Sequence, residues 1–217
     1  MIKEVCVENF SNIPLAIDKG ANRIELCDNL SVGGTTVSHG VAKKAIDYCK
    51  QRKVRLMAII RPRGGNFVYN EDEMDIMIQD IIHFKMLGID GIVIGCLTKD
   101  NWIDEKSMVR LLQEADEIDT TFHMAFDHIH SSRKLEAIDW LANHNVHRIL
   151  THGGLLNTTI EDNLPSIKNY IDYASDRIII MPGGGITNTN LPRIAKTLGA
   201  KEYHGTKVLG ELKLRCD

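Results

Sequence analysis

The stretch Arg23-Ile24-Glu25-Leu26-Cys27 decides the fold. Ile24 and Leu26 fall on one parity of a strand, Glu25 and Cys27 on the other. Such a strand packs its apolar parity under helices and turns an ionisable residue and a thiol toward an interior. The neighbouring stretches repeat the pattern. In residues 2–8, Val5 and Val7 face outward and Cys6 and Glu8 inward. In residues 55–61, Leu56, Ala58 and Ile60 face helices and Arg61 ends the inward set. In residues 121–127, Phe122, Met124 and Phe126 form the apolar parity, leaving His123, Ala125 and Asp127 inside. In residues 202–206, Glu202, His204 and Thr206 share a parity. Polar residues at the strand ends favour a closed barrel over an open doubly wound sheet.

Counting outward from these stretches predicts eight strands: Ile2 to Glu8, Arg23 to Cys27, Arg55 to Arg61, Gly91 to Cys96, Thr121 to Asp127, Arg148 to Thr151, Arg177 to Met181 and Glu202 to Thr206. Between them, apolar residues at three- and four-residue spacing predict helices over Val41 to Arg52, Glu71 to Leu87, Asp104 to Ala115, Ser132 to Asn143, Thr159 to Ala174 and Leu191 to Leu198. Asp104, Ser132 and Asn188 suit N-caps; Gly88 and Gly199 suit C-caps. No Pro-, Gly- or Ser-rich linker divides the chain, so residues 1–217 read as a single domain, a compact (β/α)8 TIM barrel of α/β class. Only Lys207 to Asp217 follow the last strand, so the eighth helix is expected to be rudimentary or missing. A second copy covering the exposed wall predicts a homo-oligomer.

Charge excludes some partners. The chain carries 26 Lys and Arg against 29 Asp and Glu, without a long run of either sign. Neither nucleic acid nor an anionic membrane surface is expected as a partner. The N-terminus has no signal-peptide pattern and no apolar run is long enough for a bilayer, which points to the cytoplasm. The five cysteines, Cys6, Cys27, Cys49, Cys96 and Cys216, form no CxxC pair and suit a reducing compartment.

Glu8, Glu25, Arg61, His123, Asp127 and His204, with Cys6 and Cys27, should therefore meet at the lumen mouth. One reading is a self-satisfied network with Arg61 paired to Glu8 or Glu25. The other is acid/base chemistry on a small polar substrate. Gly184, Gly185, Gly205 and Thr206 follow the seventh and eighth strands, where backbone N–H groups of such barrels commonly hold phosphate, aided by a helix opening near Thr187 and Asn188. The same glycines also suit a plain tight turn. Cys6 and Cys27 lie on neighbouring strands; side by side they could hold a linear Cu(I), or they could be small apolar fillers.

At these residues the chain resembles the CutC copper homeostasis family. The resemblance runs through RIELCDNLSVGGTTVS at 23–38, IIRPRGGNFVYNEDE at 59–73, GIDGIVIGCL at 88–97, TFHMAFDHI at 121–129, HRILTHGG at 147–154, IMPGGGI at 180–186 and EYHGT at 202–206. It implies a cytoplasmic TIM barrel, usually oligomeric, tied to copper tolerance or intracellular copper handling. It also implies Cu(I) ligands at Cys6 and Cys27 and lumenal polar residues at Arg61, Arg63, His123 and Asp127. Three positions depart from the family pattern: Met124 stands where Arg is usual, Val37 for Pro and His152 for Ser. Met124 and His152 are possible copper ligands, although parity assigns Met124 to the core. The leading expectation is a copper homeostasis protein that binds Cu(I). The alternative is an enzyme acting on a small, phosphorylated, anionic substrate.

Overall fold

The computed structural model describes residues 1–155 and 157–212. Eight parallel strands form one sheet: β1 (Ile2–Glu8), β2 (Arg23–Cys27), β3 (Arg55–Ile59), β4 (Gly91–Ile94), β5 (Asp119–Phe122), β6 (Arg148–Thr151), β7 (Ile179–Pro182) and β8 (Glu202–Gly205). Their order is β7-β6-β5-β4-β3-β2-β1-β8. β7 and β8 lie against each other, and just beyond them Thr187 bridges to Lys207 in parallel fashion. The barrel is thus nearly closed. Seven α-helices intervene: α1 (Ile13–Asp18), α2 (His39–Arg52), α3 (Glu71–Leu87), α4 (Glu105–Glu114), α5 (Lys134–Asn143), α6 (Leu164–Ala174) and α7 (Leu191–Leu198). None follows β8 among the described residues. Cys216 lies outside the described residues.

The outward parity behaves as the alternation predicts. Val5, Val7, Ile24, Leu26, Leu56, Ala58 and Ile60 join the apolar layer between sheet and helices. Cys6, Cys27, Met57, Ile59 and Val93 form a separate cluster inside the barrel. The helices start and stop where local chemistry says. Asp104 accepts from the Ser107 N–H at 3.2 Å, and Gly88 and Gly199 adopt φ of 81° and 63° after α3 and α7.

Other boundaries differ, each for a local reason. β5 stops at Phe122, because the His123 side chain caps a 3-10 helix over Met124–His128. Period-two reasoning fails there, so Met124 turns to the barrel mouth instead of the helix layer. β3, β4 and β8 stop short of Arg61, Cys96 and Thr206, and β7 runs two residues later than expected at its start. α6 opens at Leu164 rather than Thr159, because Thr159 and Asp162 close a turn through side-chain bonds and Pro165 sits in the first helical turn. α7 opens at Leu191; the expected cap Asn188 lies before it, and the Thr187 N–H is taken by Asn190 Oδ1 at 2.8 Å. Ser132 lies inside a 3-10 turn, Ser131–Arg133, that precedes α5. α1 is six residues long, and no periodicity announces so short a helix.

The barrel floor is ionic. Arg23 is paired with Glu4 and Glu202, and Arg148 bonds Glu202 at 3.1 Å and Asp119 at 2.8 Å. Glu4, Arg23, Arg148 and Glu202 are all buried. Removing one partner from such a network leaves an uncompensated buried charge, which is strongly destabilising.

Candidate functional site

A cavity of about 280 Å³ opens at the C-terminal ends of the strands. Cys6, Glu25, Cys27 and His204 line it from within β1, β2 and β8. Arg61 and His123 line it from just past β3 and β5, Gly184 and Gly185 from the turn after β7, and Gly205 and Thr206 from the end of β8 and just past it.

The register pairs Cys6 with Glu25 and Cys27 with Glu8, so the thiols are diagonal rather than side by side. Their sulfurs nevertheless lie 3.7 Å apart, and a Glu25 carboxylate oxygen falls within 4.8 Å of both. With metal–sulfur bonds of about 2.3 Å, linear coordination needs sulfurs about 4.6 Å apart and tetrahedral angles about 3.8 Å. The observed separation therefore suits a bent site with a third ligand, not the linear pair the sequence suggested. Sulfur donors suit a soft ion, and both thiols are buried in the wall of the cavity.

The protonation of this cluster follows from burial and neighbours. The Cys27 contact, then burial, push the Cys6 thiol well above its ordinary value. Cys6 pulls Cys27 down, but burial and the Glu25 charge outweigh it and set Cys27 at about 11. His204 Nδ1 meets Glu4 Oε1 at 2.8 Å and its Nε2 meets Glu25 Oε2 at 3.5 Å. Burial disfavours the imidazolium, yet the Glu25 charge and the bonds to Cys6 and Glu4 raise His204 well above its ordinary value. Burial also opposes ionisation of Glu4, and the His204 bond and Arg23 charge overcome it, giving about 2. Glu25 goes the other way, raised by burial despite His204. The arrangement holds a proton between His204 and Glu25 and keeps both thiols protonated when no metal is bound.

Arg61 makes neither expected ion pair. Its Nη1 donates to the Val32 and Gly34 carbonyls at 2.9 Å each and its Nη2 to Gly65 O at 2.8 Å, and its guanidinium stacks 5.0 Å from the Phe67 ring centroid. Glu8 is exposed at the rim, where it accepts from the Leu30 N–H at 3.1 Å. Asp127 is buried but outside the cavity, accepting from Thr151 Oγ1 at 2.5 Å and the His152 N–H at 2.9 Å. It braces the end of β6 against the 3-10 helix. Burial pushes its carboxyl up, against those bonds. His123 Nδ1 accepts from the Ala125 N–H at 3.2 Å, and burial together with the Arg61 charge lowers its pKa to about 3. The ring is neutral at physiological pH.

At the glycine turn, the carbonyls point away from the cavity. Gly184 O accepts from His152 Nδ1 at 2.9 Å and Gly185 O from Asn190 Nδ2 at 3.0 Å. The Gly184 and Gly185 amides, at φ of 77° and 90°, donate no hydrogen bond among the described residues. His152 Nε2 faces Thr158 O at 3.1 Å, so both ring nitrogens are engaged with carbonyls. Thr206 is exposed at the mouth.

Sequence reasoning missed Glu4, Arg23 and Arg148. The signal was present: Glu4 shares parity with Cys6, and Arg23 with Glu25. Their position at the N-terminal strand ends makes them read as solvated.

The CutC family profile matches residues 1–209. A CutC family protein of Enterococcus faecalis is 55% identical over 209 residues, covering 96% of this chain and 100% of that one. The copper homeostasis protein cutC homolog of Homo sapiens is 41% identical over 204 residues, covering 94% of this chain and 72% of that one. A CutC crystal structure from Streptococcus agalactiae superposes with a TM-score of 0.93 at 41% identity, covering 96% of this chain and 99% of that one. A deoxyribose phosphate aldolase from Aeropyrum pernix matches with a TM-score of 0.71 at 11% identity, covering 97% and 87%, which speaks to the barrel alone.

Proposed function

This chain belongs to the CutC family, and from that premise and the thiol geometry we propose that it handles copper in the cytoplasm by binding Cu(I) between Cys6 and Cys27. The observation that carries the reading is the 3.7 Å contact between two buried sulfurs, with the Glu25 carboxylate in reach as third ligand. Copper here is cargo. The test is an anaerobic competition against a Cu(I) chelator. Sub-micromolar binding that is lost in Cys6→Ser and Cys27→Ser is expected; unchanged affinity in the double variant sinks the assignment. The protein is further expected to self-associate across the barrel wall at β8, which no α-helix follows among the described residues. A monodisperse monomer in sedimentation at micromolar concentration speaks against that.

A second reading rests on a different observation, the unbonded amides of Gly184 and Gly185 in the wall of the same cavity. Preorganised donors at a barrel mouth suit an enzyme for a small, phosphorylated, anionic substrate, with Glu25 and His204 exchanging the proton they share. Saturable inorganic phosphate binding that shifts the Gly184 and Gly185 amide resonances supports it. Absence of any such shift removes it.

A further inference from the structure

We propose that His39 and His83 form a second metal position, on the helical wall of the barrel, for one divalent ion of tetragonal preference, Cu(II) or Ni(II). Neither residue lines the cavity, and the position does not rest on the Cu(I) reading of the thiols.

The pair arises from how two helices begin and pack. Ser38 caps α2, accepting from the Val41 N–H at 3.4 Å, so His39 is the first residue of that helix. On α3, Ile81 and Phe84 are buried, and His83 stands half-buried at the margin of their face. The two helices pack together, and His39 Nδ1 meets His83 Nε2 at 2.5 Å, with ring centroids 4.7 Å apart. The residues stand 44 positions apart, so no sequence motif announces them.

One ring nitrogen of this contact donates a proton to the lone pair of the other. When the donating ring carries its proton on its other nitrogen, two neutral lone pairs converge on one point, the form in which imidazole binds metal. With metal–nitrogen bonds of about 2.0 Å, a right angle at the metal needs nitrogens about 2.8 Å apart, and a tetrahedral angle about 3.3 Å. A small swing of the exposed His39 ring therefore reaches the right-angled arrangement, and a tetrahedral one demands more than twice the movement. Right-angled imidazole donors suit Cu(II) and Ni(II).

The charges around the pair favour a cation. Asp80 is half-buried one turn before His83 on α3, and its carboxylate and that ring act on each other electrostatically. Lys43, one turn after His39 and the first lysine of α2, is paired with Asp47. Among the described residues no third His, Cys, Asp or Glu joins the pair at ligand distance, so water completes the coordination. Two nitrogens and water make a borderline donor set, unlike the soft sulfurs inside the barrel.

The test is a Cu(II) titration read by electron paramagnetic resonance, on full-length protein carrying Cys6→Ser and Cys27→Ser so that no interior thiol binds or reduces the probe. One equivalent of Cu(II) with two equatorial imidazole nitrogens is expected. His39→Ala or His83→Ala in that background should each weaken binding roughly 10- to 100-fold, and Asp80→Asn by a smaller factor. Should the serine variant fail to fold, the wild type still decides with Ni(II), which thiols do not reduce: the His39 and His83 ring signals should broaden before those of any other histidine. Cu(II) bound without imidazole nitrogens, an affinity unchanged in either histidine variant, or Ni(II) broadening other histidines first overturns the inference. Zn(II) displacing Ni(II) from the pair at equal concentration overturns the tetragonal assignment.

Discussion

The pH dependence of copper binding follows directly from the state of the two thiols. The thiolate, not the thiol, ligates metal. Cys27 sits at about 11 and Cys6 is raised further above its ordinary value, so across pH 6–8 both are protonated in the metal-free protein. Loading one Cu(I) on both sulfurs releases two protons, and apparent affinity should climb about 100-fold per pH unit. Glu25, whose carboxyl is raised by burial, adds up to one further proton at the acid end if it becomes the third ligand. The slope of log K against pH then steepens toward low pH and settles at the two-proton value as Glu25 ionises. The assay is chelator competition at half-unit steps under anaerobic conditions, corrected for the chelator's own protonation. Cys27→Ser should reduce the slope to about 10-fold per unit by leaving one thiol to ionise. A flat profile refutes the reasoning, because it requires either thiolates already formed in the apo protein or ligands other than these sulfurs.

Arg23→Met removes the cation that Glu4 and Glu202 share, leaving Glu4 to His204 and Glu202 to Arg148 with a buried charge uncompensated, and should lower unfolding free energy in urea at pH 7 by about 3–5 kcal/mol. Glu4 is held at about 2, below its unfolded value, so its stabilisation is complete above about pH 4.3 and lost toward pH 2. The gap between variant and wild type should narrow over that window; a constant gap contradicts the pairing. Lys134 is buried against the Phe126 carbonyl and ring, and burial lowers its pKa to about 8 despite Asp127. The unfolded chain keeps that proton longer, so wild type should gain up to about 3 kcal/mol over Lys134→Met as pH rises from 8 to about 10.4. Finally, a two-residue diagonal on adjacent parallel strands puts the Cys6 and Cys27 Cα atoms about 8 Å apart, too far for a disulfide. Both thiols should survive mild oxidation and titrate after unfolding, and an intact-mass loss mapped to this pair would contradict the register.

The strands were legible because burial on the helix side is enforced at every second residue, and Val5, Ile24, Leu56 and Ile92 obey it. The same rule located Cys6, Glu25, Cys27 and His204 inside the barrel. It failed where the backbone leaves the ladder. After Phe122 the chain turns into a 3-10 helix, whose three-residue period brings Met124 to the mouth and leaves Asp127 bracing Thr151. Arg61 also lies beyond its strand, and its partners are backbone carbonyls of two loops, which no residue pattern announces. Sequence carries the alternation of a ladder well. It carries poorly the geometry of the loops that finish a barrel mouth, where the ligand chemistry sits.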